Sequence, residues 1–381
     1  MPAALTNARV LLDNAFHEGL AVLVEGRRIA AIAPEGDVPP NAERIDLGGA
    51  MLAPGFIDTQ VNGGGGVLFN DDPTVDGIRT IGAAHARFGT TGFFPTLISD
   101  ELDVIRAGIA AVDAAIAEGV PGVLGIHIEG PFINLARKGI HAAERIRALT
   151  DEGLAVLTSL RHGRTLVTLA PEETTPDMIG RLVDAGVVVA AGHTNGSYRQ
   201  IRDAMDAGLT GFTHLFNAMS QLGSREPGAV GAALESDRSH CGIIVDGHHV
   251  SPVTLKLALR CKPHDQFMLV TDAMPTIGSD MTSFDLHGRT IRVEEGRLLS
   301  ADGTLAGSHL DMMGAVRNAV GMLDVPLAQA IVMASAAPAD FMGLKGQVGR
   351  IAIGEVASLV AIGDDLRVRR SWIDGQALSR A

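Results

Sequence analysis

The chain has 381 residues, 46% of them hydrophobic, enough for one large domain of about 250 residues and a smaller one. Thirty-one Lys and Arg stand against 44 Asp and Glu, a formal charge of −13 without any basic block, which excludes a nucleic-acid or anionic-membrane surface. Only Cys241 and Cys261 are present, too few for a disulfide framework, and a 4% aromatic content gives no platform for stacking bases.

Residues 1–20 lack a basic start followed by an apolar stretch, and no segment reaches transmembrane length, so a cytoplasmic protein without a membrane partner is expected. Residues 4–47 read as short strands with a turn at Glu25-Gly26. The far end, 346–378, reads the same way, with turns at Gly354-Glu355 and Asp374-Gly375. The two ends are expected to pair into one small β-sandwich domain, residues 1–52 and 344–381.

Between them, residues 53–343 alternate apolar runs with helical periodicity, the pattern of βα units around a parallel sheet. Eight runs fall at 52–62, 91–98, 123–129, 166–171, 187–193, 211–217, 242–246 and 268–272. The spacing predicts helices at 74–88, 102–119, 175–185, 197–207 and 251–259, with Gly119, Gly186 and Gly208 at C-cap positions. A hairpin at 283–299, turning at Glu295-Gly296, follows the eighth run, and helices at 311–323 and 327–343 close the domain. The expected class is α/β, a (β/α)8 TIM-like barrel carrying a small β-sandwich domain.

In such barrels chemistry gathers at the carboxyl ends of the strands, so the polar residues ending these runs are the candidates. They are Gln60 and Asn62, Thr96, Glu129, Glu172, His193, His214, Asp246 and Asp272. The third, fifth and sixth runs deliver one carboxylate and two imidazoles, Glu129, His193 and His214. That set suits Zn²⁺ or another first-row divalent ion and leaves a position open for water. One strand-end histidine is more often a satisfied structural residue, but the combination outweighs that reading. His127, two residues before Glu129, also points inward and is expected to support the ligands. His85, His162, His240 and His264 are expected to be structural. Asp272 ends an apolar run and reads equally as a strand-end cap or as a general base, and its barrel position favours the base. Arg225, in a loop after the sixth run, offers the planar fork that phosphate recognition uses. The glycines at 63–66 lack the Gly-Lys-Ser/Thr ending of a phosphate-binding P-loop.

Ala53-Pro-Gly-Phe-Ile-Asp58, His127-Ile-Glu-Gly-Pro-Phe132, Gly192-His-Thr194, Thr213-His-Leu-Phe-Asn-Ala-Met219 and Val270-Thr-Asp-Ala273 together resemble the amidohydrolase superfamily. Within it, the second and fourth motifs resemble the N-acetylglucosamine-6-phosphate deacetylases. The resemblance implies metal-dependent hydrolysis of the acetamide of N-acetyl-D-glucosamine 6-phosphate to D-glucosamine 6-phosphate and acetate. The galacto epimer or another amide is the alternative substrate. It implies one divalent metal per subunit, Zn²⁺ or else Fe, Co or Mn, on Glu129, His193 and His214. Asp272 is then the proton acceptor and donor, and His141 meets the acetamide carbonyl. Substrate contacts fall to Gln60, Asn62, Ile140, His141, Asn217, Ala218, Arg225, His249, His309 and Leu310. It further implies a homodimer in which Arg225 reaches into the neighbour's site.

Many amidohydrolases carry His-x-His at the end of the first strand to hold another metal, whereas this chain has Gln60-Val-Asn62, and no strand ends in a bridging Lys. This argues against a two-metal mechanism and against cyclic-amide or dipeptide hydrolysis. A barrel that has lost catalysis is opposed by the joint presence of Glu129, His193, His214 and Asp272.

Overall fold

The computed structural model describes residues 2–378; Met1 and residues 379–381, the ends of the expected small domain, lie outside the described residues. Its centre is a parallel sheet of eight strands. They are β1 (Phe56–Val61), β2 (Thr90–Ile98), β3 (Gly125–Glu129), β4 (Arg164–Leu169), β5 (Val188–Ala191), β6 (Gly211–Phe212), β7 (His240–Ile243) and β8 (Phe267–Leu269). Each strand pairs with the next in chain order. The strands are apolar almost throughout because both faces are covered, by helices outside and by packed side chains inside. A void of only about 10 Å³ remains in the barrel, between His127, Leu166, Phe212 and Met268, so the interior is a core rather than a channel.

The ring closes without a regular ladder between β8 and β1. Just past the end of β8, Asp272 N donates to Gln60 O at 3.0 Å and Asn62 N donates to Ala273 O at 2.9 Å. Below them, the Thr271 hydroxyl and backbone N–H both donate to the buried Asp58 carboxylate. The Asp of the Pro-Gly-Phe-Ile-Asp run thus fastens the seam of the barrel.

The outer layer holds α1 (Val75–Ala86), α2 (Leu102–Ala117), α3 (Asp151–Leu157), α4 (Pro176–Asp184), α5 (Tyr198–Asp206), α6 (Gly228–Glu235) and α7 (Pro252–Ala258). Start signals are explicit: Thr74, Thr150, Thr175 and Ser197 each accept a first-turn N–H, and Ser197 forms a capping box with Gln200. α3 and α6 were not expected from the sequence. α6 consists of small residues and is buried nearly all round, so it shows no amphipathic stripe. The last expected helix is two, α9 (Leu327–Ala334) and α10 (Ala336–Phe341), following α8 (Met312–Leu323) and broken where Ser335 leaves helical geometry.

The expected first run, 52–62, is also two elements. Met51–Pro54 pairs with Arg9–Leu12 and Leu359–Ile362 in a terminal sheet, and only Phe56–Val61 enters the barrel. The break is at Gly55, where a Cβ would lie 2.0 Å from Thr91 Oγ1. The terminal strands form two sheets around Leu5, Val22, Leu52, Leu359 and Trp372. The expected hairpin at 283–299 is a four-stranded antiparallel sheet, extended by Leu305–Ser308, and turns at Glu295-Gly296 as well as at His287-Gly288.

Candidate metal centre and active site

Glu129 is the last residue of β3, and His193 and His214 lie just beyond β5 and β6. Both histidines leave their strands in the left-handed region, at φ 49° and 33°. Such geometry costs a non-glycine residue about 1–2 kcal/mol and persists only where neighbours fix it. Here Asn134 N donates to His193 O at 2.9 Å, and Leu215 N donates to Gly242 O at 2.7 Å. The turned backbones bring three side chains together. Glu129 Oε1 lies 3.0 Å from His193 Nε2 and 2.9 Å from His214 Nε2, and the two nitrogens are 3.1 Å apart.

His193 Nδ1 faces Arg137 O at 2.8 Å, and a carbonyl only accepts, so Nδ1 carries the proton and Nε2 presents a lone pair to the cluster. Burial pushes the Glu129 carboxyl up, but the adjoining His193 and His214 rings outweigh it and hold the group well below the usual carboxylate range. Burial lowers His214, yet its bond to Glu129 leaves it raised. One carboxylate and two imidazoles thus converge in a buried pocket, a donor set that can hold a divalent ion.

Asp272 follows β8, again left-handed at φ 53°. Its Oδ1 accepts from Asn62 Nδ2 at 2.6 Å and from Gln60 Nε2 at 3.1 Å. Gln60 Nε2 also reaches Glu129 Oε2 at 3.1 Å. The two amides therefore bridge the carboxylates where a His-x-His pair would hold another metal. Burial, with the Glu129 charge, raises Asp272 to about 6. Asn62 Oδ1 is buried without a partner among the described residues.

His141 comes from the loop between β3 and α3. Ser99 N donates to its Nδ1 at 3.2 Å, with Ser99 Oγ at 2.7 Å, so the proton sits on Nε2. Burial first, then the neighbouring His193, pushes its pKa well below the usual histidine value, and the ring is a neutral N–H donor. It lies 4.4 Å from the His193 ring, centroid to centroid. Ile140 turns its side chain away, into an apolar cluster with Phe284, Ile291 and Leu298 of the inserted sheet.

The remaining candidates divide. His127 lies among threonines, with Nε2 2.8 Å from Thr168 Oγ1, and burial lowers it to about 4. Thr96 is a strand fastener, its hydroxyl accepting from Val61 N at 2.8 Å. Asp246 caps the N–H groups of His248 and His249 and accepts from His249 Nδ1 at 2.6 Å, leaving Nε2 of His249 as the outward atom. Asn217 folds its amide back to His214 O at 3.1 Å, and Ala218, at φ 48°, accepts from Thr194 N. Leu310 is buried, with its N–H on Ser308 Oγ at 3.0 Å. His309 bonds Thr276 Oγ1 at 2.8 Å and lines a surface cavity of about 400 Å³ to which no residue of the Glu129 cluster contributes. Arg225 is exposed in a tight loop, where Gly223 N meets Glu226 O at 3.0 Å. Its side chain has no partner among the described residues. Sequence reasoning missed Ser99 and the Arg137 carbonyl. Ser99 was detectable as the first polar residue after β2, whereas a carbonyl carries no sequence signal.

Comparison with known proteins gives the family. Residues 51–378 match the amidohydrolase family model, and residues 3–52 match that of the NagA composite domain. An N-acetylgalactosamine-6-phosphate deacetylase of Shewanella sp. (strain ANA-3) is 45% identical, the alignment covering 98% of this chain and 95% of the relative. An N-acetylglucosamine-6-phosphate deacetylase of Haemophilus influenzae is 34% identical over 99% of both. The crystal structure of the N-acetylglucosamine-6-phosphate deacetylase from Pasteurella multocida superposes with a TM-score of 0.96 at 35% identity, covering 100% of both chains. The chain belongs to the amidohydrolase family, a metal-dependent family, among its amino sugar 6-phosphate deacetylases.

Proposed function

We propose that the chain hydrolyses the acetamide of N-acetyl-D-glucosamine 6-phosphate, releasing acetate and D-glucosamine 6-phosphate. One observation carries this: a buried Glu129/His193/His214 cluster joined to Asp272 through Gln60, with the His141 ring against His193. A divalent ion on the cluster, Zn²⁺ before Fe, Co or Mn, supplies Lewis acidity toward the acetyl carbonyl and the attacking water. Gln60 and Asn62 occupy Oδ1 of Asp272 and leave Oδ2 as the atom that takes the water proton. His141 Nε2–H donates to the carbonyl oxygen as negative charge develops there. Asp272 then returns its proton to the nitrogen, so the sugar leaves as a neutral amine. His249 and Arg225 are the proposed phosphate partners, Arg225 bringing a local positive charge in a chain of charge −13.

A second reading is favoured by the 45% identity to an N-acetylgalactosamine-6-phosphate deacetylase, against 34% for the Haemophilus influenzae relative. Acetate release from the gluco substrate, its galacto epimer and the unphosphorylated sugar decides. The gluco phosphate is expected to be fastest and the unphosphorylated sugar slowest. A faster galacto epimer establishes the second reading, and release from none of them overturns both. The base works ionised, so the rate is present above the Asp272 pKa and is lost as pH falls through it. The acid limb of kcat is expected at or below about 6, since a bound cation favours the charged carboxylate.

The reading also assigns one metal per chain, a homodimer and a cytoplasmic location. The amides at positions 60 and 62 support the single metal and the free Cys241 and Cys261 a reducing compartment, while the homodimer rests on the family resemblance. Elemental analysis is expected to find about one tightly bound divalent ion per active chain. The proposed reach of Arg225 into the neighbour is tested by reassembling Asp272→Asn and Arg225→Ala subunits at random. Half the dimers are then mixed, each with one complete site, and about a quarter of wild-type activity returns. No recovery in a sample shown to contain mixed dimers assigns Arg225 to its own chain.

A further inference from the structure

Glu172 stands at the exit of β4 and takes no part in the reaction above. It sits on a single 3-10 turn, Pro171–Glu173. Its Oε1 accepts from Asn195 N at 2.5 Å, and its Oε2 accepts from the Thr194 hydroxyl. Thr194 is fully buried, and its Oγ1 in turn accepts from Gly196 N at 3.0 Å. These residues directly follow His193, the cluster member whose φ of 49° needs outside support. Glu172 pairs with no Lys or Arg among the described residues, so its hydrogen bonds go to this segment alone.

The neighbouring carboxylate secures the other side of the same histidine. Glu173 Oε1 accepts from Asn134 Nδ2 at 2.7 Å, and Asn134 N donates to His193 O at 2.9 Å. Arg137 accepts from His193 Nδ1 through its carbonyl, and its Nε donates to Asn195 Oδ1 at 2.9 Å. Consecutive carboxylates therefore fasten the backbone after His193 and the loop that runs on to His141.

We infer that Glu172 is a positioning residue: it holds the segment after His193 in the left-handed turn that aims Nε2 at the metal, and so sets how tightly the metal is held. The inference rests on the metal-hydrolase reading. A carboxylate suits this task because it accepts from two donors at once and strengthens both bonds with its charge. Groups that orient a metal-binding histidine without touching the ion commonly govern affinity.

The test is a zinc titration of metal-stripped protein against a competing chelator, which needs no substrate. Glu172→Ala is expected to raise the Kd for Zn²⁺ about ten- to a hundredfold. Thr194→Val, which keeps the buried shape and removes only the hydroxyl, shifts it in the same direction. Glu172→Gln, which retains an acceptor for Asn195 N, recovers much of the loss. With excess zinc, kcat returns toward wild type while KM stays unchanged, which a general loss of folding does not produce. Zinc affinity equal to wild type in folded Glu172→Ala or Thr194→Val, with only a lower Tm, overturns the inference. A wild-type protein that holds no zinc overturns the metal reading itself and this inference with it.

Discussion

Asp272→Asn is expected to lower turnover by about a hundredfold or more, with metal content and KM close to wild type. The geometry explains why the damage is confined to the proton route. Only Oδ1 of Asp272 is engaged, by the amides of Gln60 and Asn62, and an asparagine oxygen accepts those same two bonds. The substituted amide then presents N–H where the carboxylate presented a second acceptor, and it can neither take the water proton nor return one to nitrogen. The Glu129 cluster keeps its geometry, because its hydrogen-bond link to Asp272 runs through the bridging Gln60 amide, which the asparagine oxygen still engages. Steady-state acetate release with elemental analysis of the same sample checks this. Activity near wild type removes Asp272 from the mechanism, and a variant that has lost its metal moves Asp272 into the ligand set.

The strands of the barrel were legible because a parallel sheet covered on both faces needs near-continuous apolar runs, and its chemistry gathers at their ends. Following strand ends therefore led to Glu129, His193, His214 and Asp272, which the fold brings to one mouth. The same rule misled where sequence pattern carries no directional information. Thr96 lies near the end of β2 yet fastens β1, while Ser99, three residues on, holds His141. The first run looked continuous because Met51–Pro54 and Phe56–Val61 are both buried, and nothing in apolar periodicity reveals that they belong to different sheets. α6 escaped because a helix of small residues buried all round leaves no stripe. Arg225 and His309 lie on loops, whose paths depend on long-range contacts rather than local pattern.

The positive φ values at His193, His214 and Asp272 link fold to chemistry. A strand continued in extended geometry carries successive side chains to opposite faces, whereas a left-handed turn at the exit redirects the side chain across the mouth. Each turn is held from outside it: Asn134 N of the loop after β3 donates to His193 O, Leu215 N donates to Gly242 O of β7 beside His214, and Ser308 N of the inserted sheet donates to Asp272 O at 2.8 Å. The active geometry is thus a property of the assembled ring. Sequence could name the residues but not their orientation.

His141→Ala is expected to cost about a hundred- to a thousandfold in kcat, the usual loss on removing one preorganised oxyanion donor. Its role differs from that of Asp272, and the two variants should differ in kind. The His141 ring is kept neutral by burial and fixed by Ser99, whose N–H occupies Nδ1 and so leaves the proton on Nε2, beside the His193 ring. Such a donor needs no reorganisation as charge forms on the carbonyl oxygen. Removing it raises the barrier without abolishing the base, so the acid limb assigned to Asp272 should persist in the pH profile of His141→Ala at a lower plateau. The zinc Kd should also persist, because His193 receives its partner from the Arg137 carbonyl rather than from His141. Ser99→Ala offers a milder check. It removes the hydroxyl at 2.7 Å but leaves the backbone N–H, so its loss should be smaller than that of His141→Ala and of the same type. Wild-type turnover in His141→Ala, or loss of the acid limb together with the plateau, excludes His141 as the oxyanion donor and leaves that task to the metal alone.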